Sequence, residues 1–272
     1  MTLDVAISTY QPDGIYRVEK MLEGLPVNPE VKYIVSWQEH QEAGIPESLK
    51  ERGDVEVYRL DVQGLSNNRN NALEHCKGDI VLIADDDLEY YPGFAEKIIK
   101  TFQKNESMDL ATFKIDYSSK KSYPKDDRVL NLPFPKGYYV NSIELAFRRE
   151  SIKDLRFWPG LGLGSPSMGC GEEELFLVSA IKRHLNCKFI NSTIGKHVAP
   201  TTGTTLGDSI LRGQGFVTHL IYPYTSFMRH LVKAFRIKKG GKGNFFRSVV
   251  QLSRGSLNAI TSFKKIPSNM RW

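Results

Sequence analysis

A run of three aspartates, Asp85-Asp86-Asp87, follows directly after an apolar segment of the chain. The preceding residues 79–84 read DIVLIA, and such a continuous apolar, β-branched run is typical of a strand buried on both faces of a parallel sheet. In an open α/β sheet, ligands bind beyond the carboxyl ends of the strands. Three adjacent carboxylates repel one another unless a hard divalent cation such as Mg²⁺ or Mn²⁺ neutralises them. The run therefore indicates a metal and diphosphate site, the alternative being a solvated acidic turn that begins the next helix.

Strand-like segments recur along residues 1–200. An amphipathic helical pattern with apolar residues at Val18, Met21 and Leu22 separates the first two of them. This spacing predicts an α/β fold whose central sheet is mostly parallel and flanked by helices. The expected strands are 3–9, 32–37, 55–60, 79–84, 110–115, 142–149 and 188–194; the expected helices are 16–25, 67–76, 93–102 and one beginning near Glu172, with a long loop over 117–137.

The segment GLSNNRNNA at 64–72 combines a helix start with an arginine and several amides. Ser66 is a suitable N-cap for a helix over Asn67–Cys76. The amino end of that helix, with Arg69 in its first turns, would suit a diphosphate. Polar first turns capped by serine are also common without any ligand, so the segment alone leaves both interpretations open.

A second acidic run, Glu172-Glu173-Glu174, begins a helix after the glycine-rich loop 159–171. Acidic side chains at a helix amino terminus interact favourably with the helix dipole, which explains at least one glutamate without a function. Glycines in the loop allow the close approach of a ligand. A carboxylate at this position could accept a proton from an attacking hydroxyl.

In chain order, four features resemble one known family: a strand ending Thr9-Tyr10, the segment GLSNNRNNAL, a buried strand leading into an Asp-x-Asp group, and Gly-Glu-Glu-Glu-Leu-Phe. Over residues 3–200 the chain resembles the inverting glycosyltransferases of family 2, which have the GT-A fold. The resemblance implies an enzyme of the hexosyltransferase class that moves a sugar from a nucleotide-sugar to a hydroxyl acceptor. It also implies inversion and a metal cofactor, Mn²⁺ or Mg²⁺.

The resemblance assigns roles to individual residues. Asp87 and Asp85 would hold the metal, with His197 completing its shell, a role for which neutral imidazole is competent. A lone histidine is otherwise more often a structural or surface residue. The residues expected to bind the nucleotide-sugar are Thr9, Tyr10, Ser66, Asn67, Arg69, Asp85 and Asp86.

The catalytic base is expected within the glutamate run. In the family, the second acid of a Gly-Glu-Asp group takes the proton, which places the base at Glu173. Because the chain has glutamate where aspartate is more usual, the carboxylate stands one methylene further out. Glu172 and Glu174 therefore remain alternatives.

The chain departs from the family a second time after the strand KYIVSW. There the family usually has an aspartate that reads the nucleotide base, whereas this chain has Ser36-Trp37-Gln38. A UDP-sugar is still the favoured donor. The alternative to an enzyme is a membrane-docked protein that binds nucleotide-sugar on a degenerate transferase fold and does not consume it.

The charge of the chain is segregated. Residues 201–272 carry twelve Lys and Arg against Asp208 alone, a net charge of +11, which leaves −5 on residues 1–200. Basic amphipathic helices with interleaved aromatic residues are expected at 207–221, 224–237 and 244–263, as for helices lying on anionic lipid. We therefore expect a catalytic domain over 1–205 and a basic helical segment over 206–272 on a membrane surface. The acidic remainder disfavours nucleic acid as a partner.

Other features narrow the function class. Three cysteines without a CxxC pair exclude a disulfide framework and favour a reducing compartment. We expect no signal peptide and no spanning helix, hence a cytoplasmic location, peripheral on the inner face of the membrane. The basic tail suits a lipid-linked acceptor, and the family resemblance implies a role in cell-envelope polysaccharide assembly. The absence of GxGxxG disfavours a dinucleotide oxidoreductase, and ISTYQPDG lacks the basic glycine-rich loop of a nucleotidyltransferase.

Overall fold

The computed structural model describes residues 1–118, 121–152, 154–198 and 206–271. The chain forms two compact units. The first consists of Met1–Gln63, Asn67–Asp154 and Ala180–Pro200, and the second of Gly64–Ser66, Leu155–Ser179 and Thr201–Trp272. The expected domain boundary between residues 205 and 206 falls at the edge of the described residues and stays a prediction.

The first unit contains a nine-stranded sheet among the described residues. Its strands are β1 (Leu3–Tyr10), β2 (Val31–Gln38), β3 (Val55–Leu60), β4 (Ile80–Asp85), β5 (Leu88–Tyr90), β6 (Leu110–Asp116), β7 (Arg128–Val129), β8 (Leu145–Arg148) and β9 (Cys187–His197). They lie in the order β3-β2-β1-β4-β8-β6-β9-β5, with β7 paired to β9.

The sheet is parallel in one half and mixed in the other. Strands β1 to β4 pair in parallel, as the strand-helix-strand spacing predicts. Strand β8 runs antiparallel to β4 and β6, while β9 is parallel to β6 and antiparallel to β5 and β7. The carboxyl ends of β1, β2 and β4 meet at one edge, because the registers pair Ser8 with both Ser36 and Asp85.

Helices cover this sheet and supply its core. They are α1 (Gly14–Leu22), α2 (Glu47–Lys50), α3 (Leu65–His75) and α4 (Phe94–Lys104). The next helix, α5 (Glu172–Lys182), lies mostly in the second unit. Helix α4 buries Ile98 and Phe102 among the apolar side chains of the sheet, and Trp37 is also fully buried. Each large apolar side chain removed from water in this way contributes roughly 1.5–3 kcal/mol to folding. The mixed α/β fold with a central sheet flanked by helices is thus confirmed.

The second unit is built around α6 (Asp208–Ile221), α7 (Ser226–Lys239) and α8 (Phe245–Ser262). Helices α6 and α8 approach closely because Gly215 and Gly255 lie at their contact. A Cβ atom at Gly255 would stand 2.0 Å from the Arg212 carbonyl oxygen. Within this unit, apolar side chains of the loop before α5 and of α5 itself share one core with Phe216 and Ala259. The basic helices therefore help to hold the segment that carries the glutamate run.

Several local expectations differ from the structure. Helix α3 begins at Leu65, so Ser66 lies inside the helix and is not its N-cap. The aspartate run leads into the short strand β5 rather than into a helix. Residues 142–149 divide into a 3₁₀ helix (Ser142–Glu144) and strand β8, and β7 interrupts the expected loop 117–137, of which residues 119 and 120 lie outside the described part. Among the described residues, no helix combines the length and the apolar character needed to cross a membrane.

Candidate functional site

Each of the three aspartates at the end of β4 contacts different side chains. Asp85 contacts Arg69. The Arg69 guanidinium donates to both oxygens of Asp85, at 3.1 and 3.3 Å, and to the Ser142 hydroxyl at 2.7 Å. The Arg69 side chain is buried, whereas Asp85 keeps 30% of its side chain exposed. Arg69 is thus fixed at the site edge, and Asp85 presents a partly open carboxylate there.

Asp86 is turned toward strand β1 and helix α1. The Thr9 hydroxyl and the Arg17 guanidinium both donate to its Oδ2 atom, the latter with Nε at 3.1 Å. Burial raises the pKa of Asp86 above its ordinary range, although Thr9 and Arg17 oppose this shift. Arg17 was not expected at the site, because a cation on an amphipathic helix ordinarily faces solvent. Asp86 therefore has a structural role in joining β1, α1 and β4.

Asp87 directly precedes strand β5 and lies beside His197, the last residue of strand β9. The His197 Nε2 atom lies 3.1 Å from Asp87 Oδ2, and the imidazole is 8% exposed. Strand β5 places them together, because Leu88 pairs with His197 and the Val198 amide donates to the Asp87 carbonyl at 3.1 Å. We call the set Asp85, Asp86, Asp87 and His197 the aspartate corner.

The aspartate corner fits a hard divalent cation that is also coordinated by a bound molecule. Within the described residues, Asp87 Oδ1 is buried and has no hydrogen-bond partner. Mg²⁺ is usually bound through one or two carboxylates together with substrate phosphates, and Asp87 with His197 provides that number of protein ligands. No group of three or more His, Cys, Asp or Glu side chains in the described ranges is arranged as a metal centre. The corner could therefore hold such a cation only together with a ligand such as a diphosphate.

The polar residues of α3 connect the strands that end at this edge. The Asn68 amide donates to the Thr9 carbonyl of β1 at 2.8 Å, and the Asn71 amide donates to the Ser36 hydroxyl of β2 at 2.8 Å. With Arg69 bonded to Asp85 of β4, successive residues of the helix reach three different strands. This explains the asparagine-rich composition of the segment without requiring that every amide meets a ligand.

The other residues expected to bind the nucleotide-sugar are more scattered. The Tyr10 ring is 53% exposed at the end of β1, with the Arg17 guanidinium 5.7 Å from its centre. The Asn67 amide donates to the Gln63 carbonyl at 2.7 Å. Ser66 belongs to the second unit, where its hydroxyl donates to the Leu161 carbonyl at 2.8 Å. Thr9, Tyr10, Arg69 and the aspartates therefore gather in the first unit.

The three residues that replace the family's base-reading aspartate are buried and have internal partners. The Trp37 indole nitrogen donates to the Gln11 carbonyl at 2.8 Å, and the Gln38 amide donates to the Val62 carbonyl. Ser36 accepts from Asn71. Each of these contacts stabilises the end of β2 and the loops beside it.

The glutamate run forms the first turn of α5, as the sequence predicts. Glu172 is buried beside Gly162, where a Cβ atom would stand 3.0 Å from its carboxyl carbon; Gly162 also has φ of +97°, which favours glycine. Glu173 and Glu174 are half-buried. Within this unit, burial is the main cause that lowers the pKa of Lys233, and the nearby Glu174 opposes that shift. Glu173 keeps part of its side chain exposed, while its Oε2 atom is buried.

A buried ion pair near His197 was not anticipated from the sequence. Lys121 Nζ lies 2.5 Å from Glu144 Oε1, and the two side chains are 2% and 0% exposed. Tyr117 and Tyr123 also donate to Glu144, at 3.0 and 2.7 Å. The Tyr117 ring lies 5.8 Å from the His197 ring. The pair therefore orders the side chains that pack behind one edge of the aspartate corner.

Comparison with known proteins gives matches in family and fold. Residues 38–159 match the profile of Glycosyl transferase family 2. The structure of Staphylococcus aureus TarS 1–349 matches with a TM-score of 0.60 at 14% identity, covering 97% of this chain and 92% of that chain. The same protein in complex with UDP-GlcNAc gives 0.61 at 15% identity, covering 98% and 82%. A search of curated protein sequences found no match.

The family match covers part of the candidate site. The family match includes Arg69 and the three aspartates of the corner. At these sequence identities, the structural likeness shows the fold. The chain therefore has the GT-A fold, and its residues 38–159 are similar to the family-2 glycosyltransferases.

Proposed function

We propose that the enzyme transfers a sugar from a nucleotide-sugar to a hydroxyl of a saccharide or lipid-linked acceptor, with inversion at the anomeric carbon. The observation that carries this proposal is the aspartate corner. There the partly open carboxylate of Asp85 ends strand β4, and the Asp87–His197 pair lies where β5 meets β9. The TarS complex with UDP-GlcNAc has the same fold, which supports a UDP-sugar as donor.

In this proposal Asp87, Asp85 and His197 would hold Mn²⁺ or Mg²⁺ together with the diphosphate. When bound, the cation would neutralise charge that develops on the departing nucleoside diphosphate. Arg69 keeps Asp85 in place through its paired hydrogen bonds, and Thr9 and Arg17 keep Asp86 in place. Because these contacts exist before any ligand binds, little reorganisation is needed at the moment of reaction.

Glu173 is the proposed base. It takes the proton of the acceptor hydroxyl as the oxygen attacks the anomeric carbon, while the bond from that carbon to the diphosphate breaks. A single direct displacement inverts the configuration. Glu173 is half-buried in the first turn of α5.

A panel of nucleotide-sugars, incubated with the protein and Mn²⁺ or with a chelator, tests the proposal. We expect metal-dependent release of nucleoside diphosphate from one class of donor, with a UDP-sugar favoured. If the protein binds a nucleotide-sugar but consumes it with none of the acceptor sugars tested, it is a binding protein and not a transferase. Release that is unaffected by the chelator would remove the metal from the proposal.

A further inference from the structure

Helix α8 exposes large apolar side chains on the face opposite its buried side. The buried face has the polar residues Ser248, Gln251 and Ser256 beside Leu252, Gly255 and Ala259. The opposite face carries an exposed stripe, defined here as the α8 stripe, whose members are 47–76% exposed: Phe246, Val250, Leu257 and Ile260. Their spacing places them on one side of the helix. A helix of a water-soluble domain ordinarily turns such a stripe toward the core.

Helix α7 also exposes large apolar side chains. Its buried side has Ser226 and His230 beside Ala234 and Ile237. An exposed set, defined here as the α7 stripe, has members 49–62% exposed: Phe227, Met228, Val232 and Phe235. Single exposed apolar residues are normal, but contiguous sets mark a surface that meets another apolar phase. Two adjacent helices of one unit therefore share an unusual exposure of large apolar side chains.

The charges around the stripes are almost all positive. Exposed cations accompany both helices, among them Arg236, Lys238, Lys239, Arg247 and Arg254. Among residues 206–271, Asp208 is the only acidic side chain, and it is already bonded to Arg247 at 2.7 Å. Large apolar groups beside a cationic surface are the chemistry of a helix that lies in an anionic lipid interface.

We propose that the α7 and α8 stripes dock this protein on the surface of an anionic membrane, with the stripes among the acyl chains and the cations against the headgroups. A symmetric pair of copies fits the surface poorly, because an isologous contact would bring like charges together. Nucleic acid would use the cations but would leave the apolar stripes exposed. The inference goes beyond sugar transfer and does not depend on it.

Vesicle co-sedimentation of the full chain tests this inference. We expect binding to vesicles of equal parts phosphatidylglycerol and phosphatidylcholine, weak binding to phosphatidylcholine alone, and a decline as salt is raised. The triple variant Phe246→Gln, Leu257→Gln, Ile260→Gln should lower the partition coefficient by about tenfold or more. The pair Lys238→Gln, Lys239→Gln should lower it by roughly fivefold for each charge removed.

Matched controls come from exposed residues of the first unit. Val27→Gln and Lys104→Gln remove an exposed apolar and an exposed basic side chain, and neither should change vesicle binding. Donor consumption in solution should be equal in all variants, so failure of docking and failure of the transferase proposal are separable.

Three results would overturn the inference. They are no binding of the parent protein to anionic vesicles, equal binding by the stripe variants, and a parent dimer in sedimentation velocity that the triple variant dissociates without any vesicle binding. Thermal unfolding of each variant checks that the fold persists. The charge variant keeps the test decisive even where the triple variant is unstable.

Discussion

Asp87 and His197 lie 3.1 Å apart because a three-residue strand, β5, pairs with the end of β9. The pairing brings together two residues that are far apart in sequence, and the Val198 amide secures the Asp87 carbonyl at 3.1 Å. Backbone hydrogen bonds of this kind fix the positions of both side chains before any cation arrives. A preorganised pair of ligands loses little conformational entropy on binding.

Substitutions of Asp87 and His197 should distinguish the contribution of a charged metal ligand from that of a neutral one. We expect Asp87→Asn to weaken Mn²⁺-dependent binding of UDP by at least about 100-fold, and His197→Ala to weaken it by about tenfold. Calorimetric titration with and without Mn²⁺ measures both values. Equal affinity in the parent and in a folded Asp87→Asn variant would remove Asp87 from the metal site, and an unchanged His197→Ala variant would make His197 structural.

The base is tested by substitutions along the glutamate run. Glu173→Gln keeps the size of the side chain but cannot take the acceptor proton, so turnover should fall by about 10²–10⁴-fold while UDP affinity changes little. Glu174→Gln is the matched control, since losing a helix-dipole contact costs only about 0.3–1 kcal/mol of stability. An inactive Glu172→Gln beside an active Glu173→Gln would move the base to Glu172.

The Lys121–Glu144 pair should be costly to break from one side. Lys121→Met leaves a fully buried carboxylate without its cation, and we expect a loss of about 3–5 kcal/mol in the free energy of unfolding. Urea denaturation measures this loss. The double variant Lys121→Met, Glu144→Leu should recover much of it, because two apolar side chains need no charge compensation. A single variant within about 1 kcal/mol of the parent would show that Glu144 is sufficiently stabilised by the tyrosines.

His230 predicts a pH dependence of stability in the second unit. Burial chiefly, with Lys233 and His219 adding, lowers the pKa of His230 from 6.5 to about 4. The unfolded chain therefore binds a proton that the folded chain does not, and stability present above pH 6.5 is lost as the pH falls toward 4. The loss should be on the order of 2–3 kcal/mol.

Urea unfolding across this pH range measures the effect, with His230→Gln as the control. The glutamine is uncharged at every pH and can still bond to Ser256, which lies 3.4 Å from the His230 ring. Its unfolding free energy should therefore depend less on pH than that of the parent. Equal slopes for the two proteins would show that His230 does not titrate between the folded and unfolded states.

Much of the fold could be predicted because the signals are local. The run DIVLIA is apolar on both faces and forms β4, and the glutamates begin α5 after a glycine-rich loop. Three C-terminal helices follow the amphipathic pattern closely. In each case the periodicity within the segment indicates whether a strand or a helix forms.

The missed features depend on contacts between distant residues. Strand β5 has only three residues, too few for a periodic pattern, and it exists because β9 offers it a partner. Arg17 of helix α1 was missed because its carboxylate partner, Asp86, follows strand β4 and is far away in sequence. The Lys121–Glu144 pair joins a loop to the start of β8, and neither residue belongs to a recognisable motif. Pairing of this kind is set by topology, so a single sequence does not reveal it.

The most direct test of the central claim is the Mn²⁺-dependent release of UDP from a UDP-sugar by the parent protein and by Asp87→Asn. We expect release by the parent, loss of release on addition of chelator, and loss of release in an Asp87→Asn variant that unfolds at the same temperature as the parent. Release by the folded Asp87→Asn variant at the parent rate would contradict the claim that the aspartate corner binds the donor diphosphate.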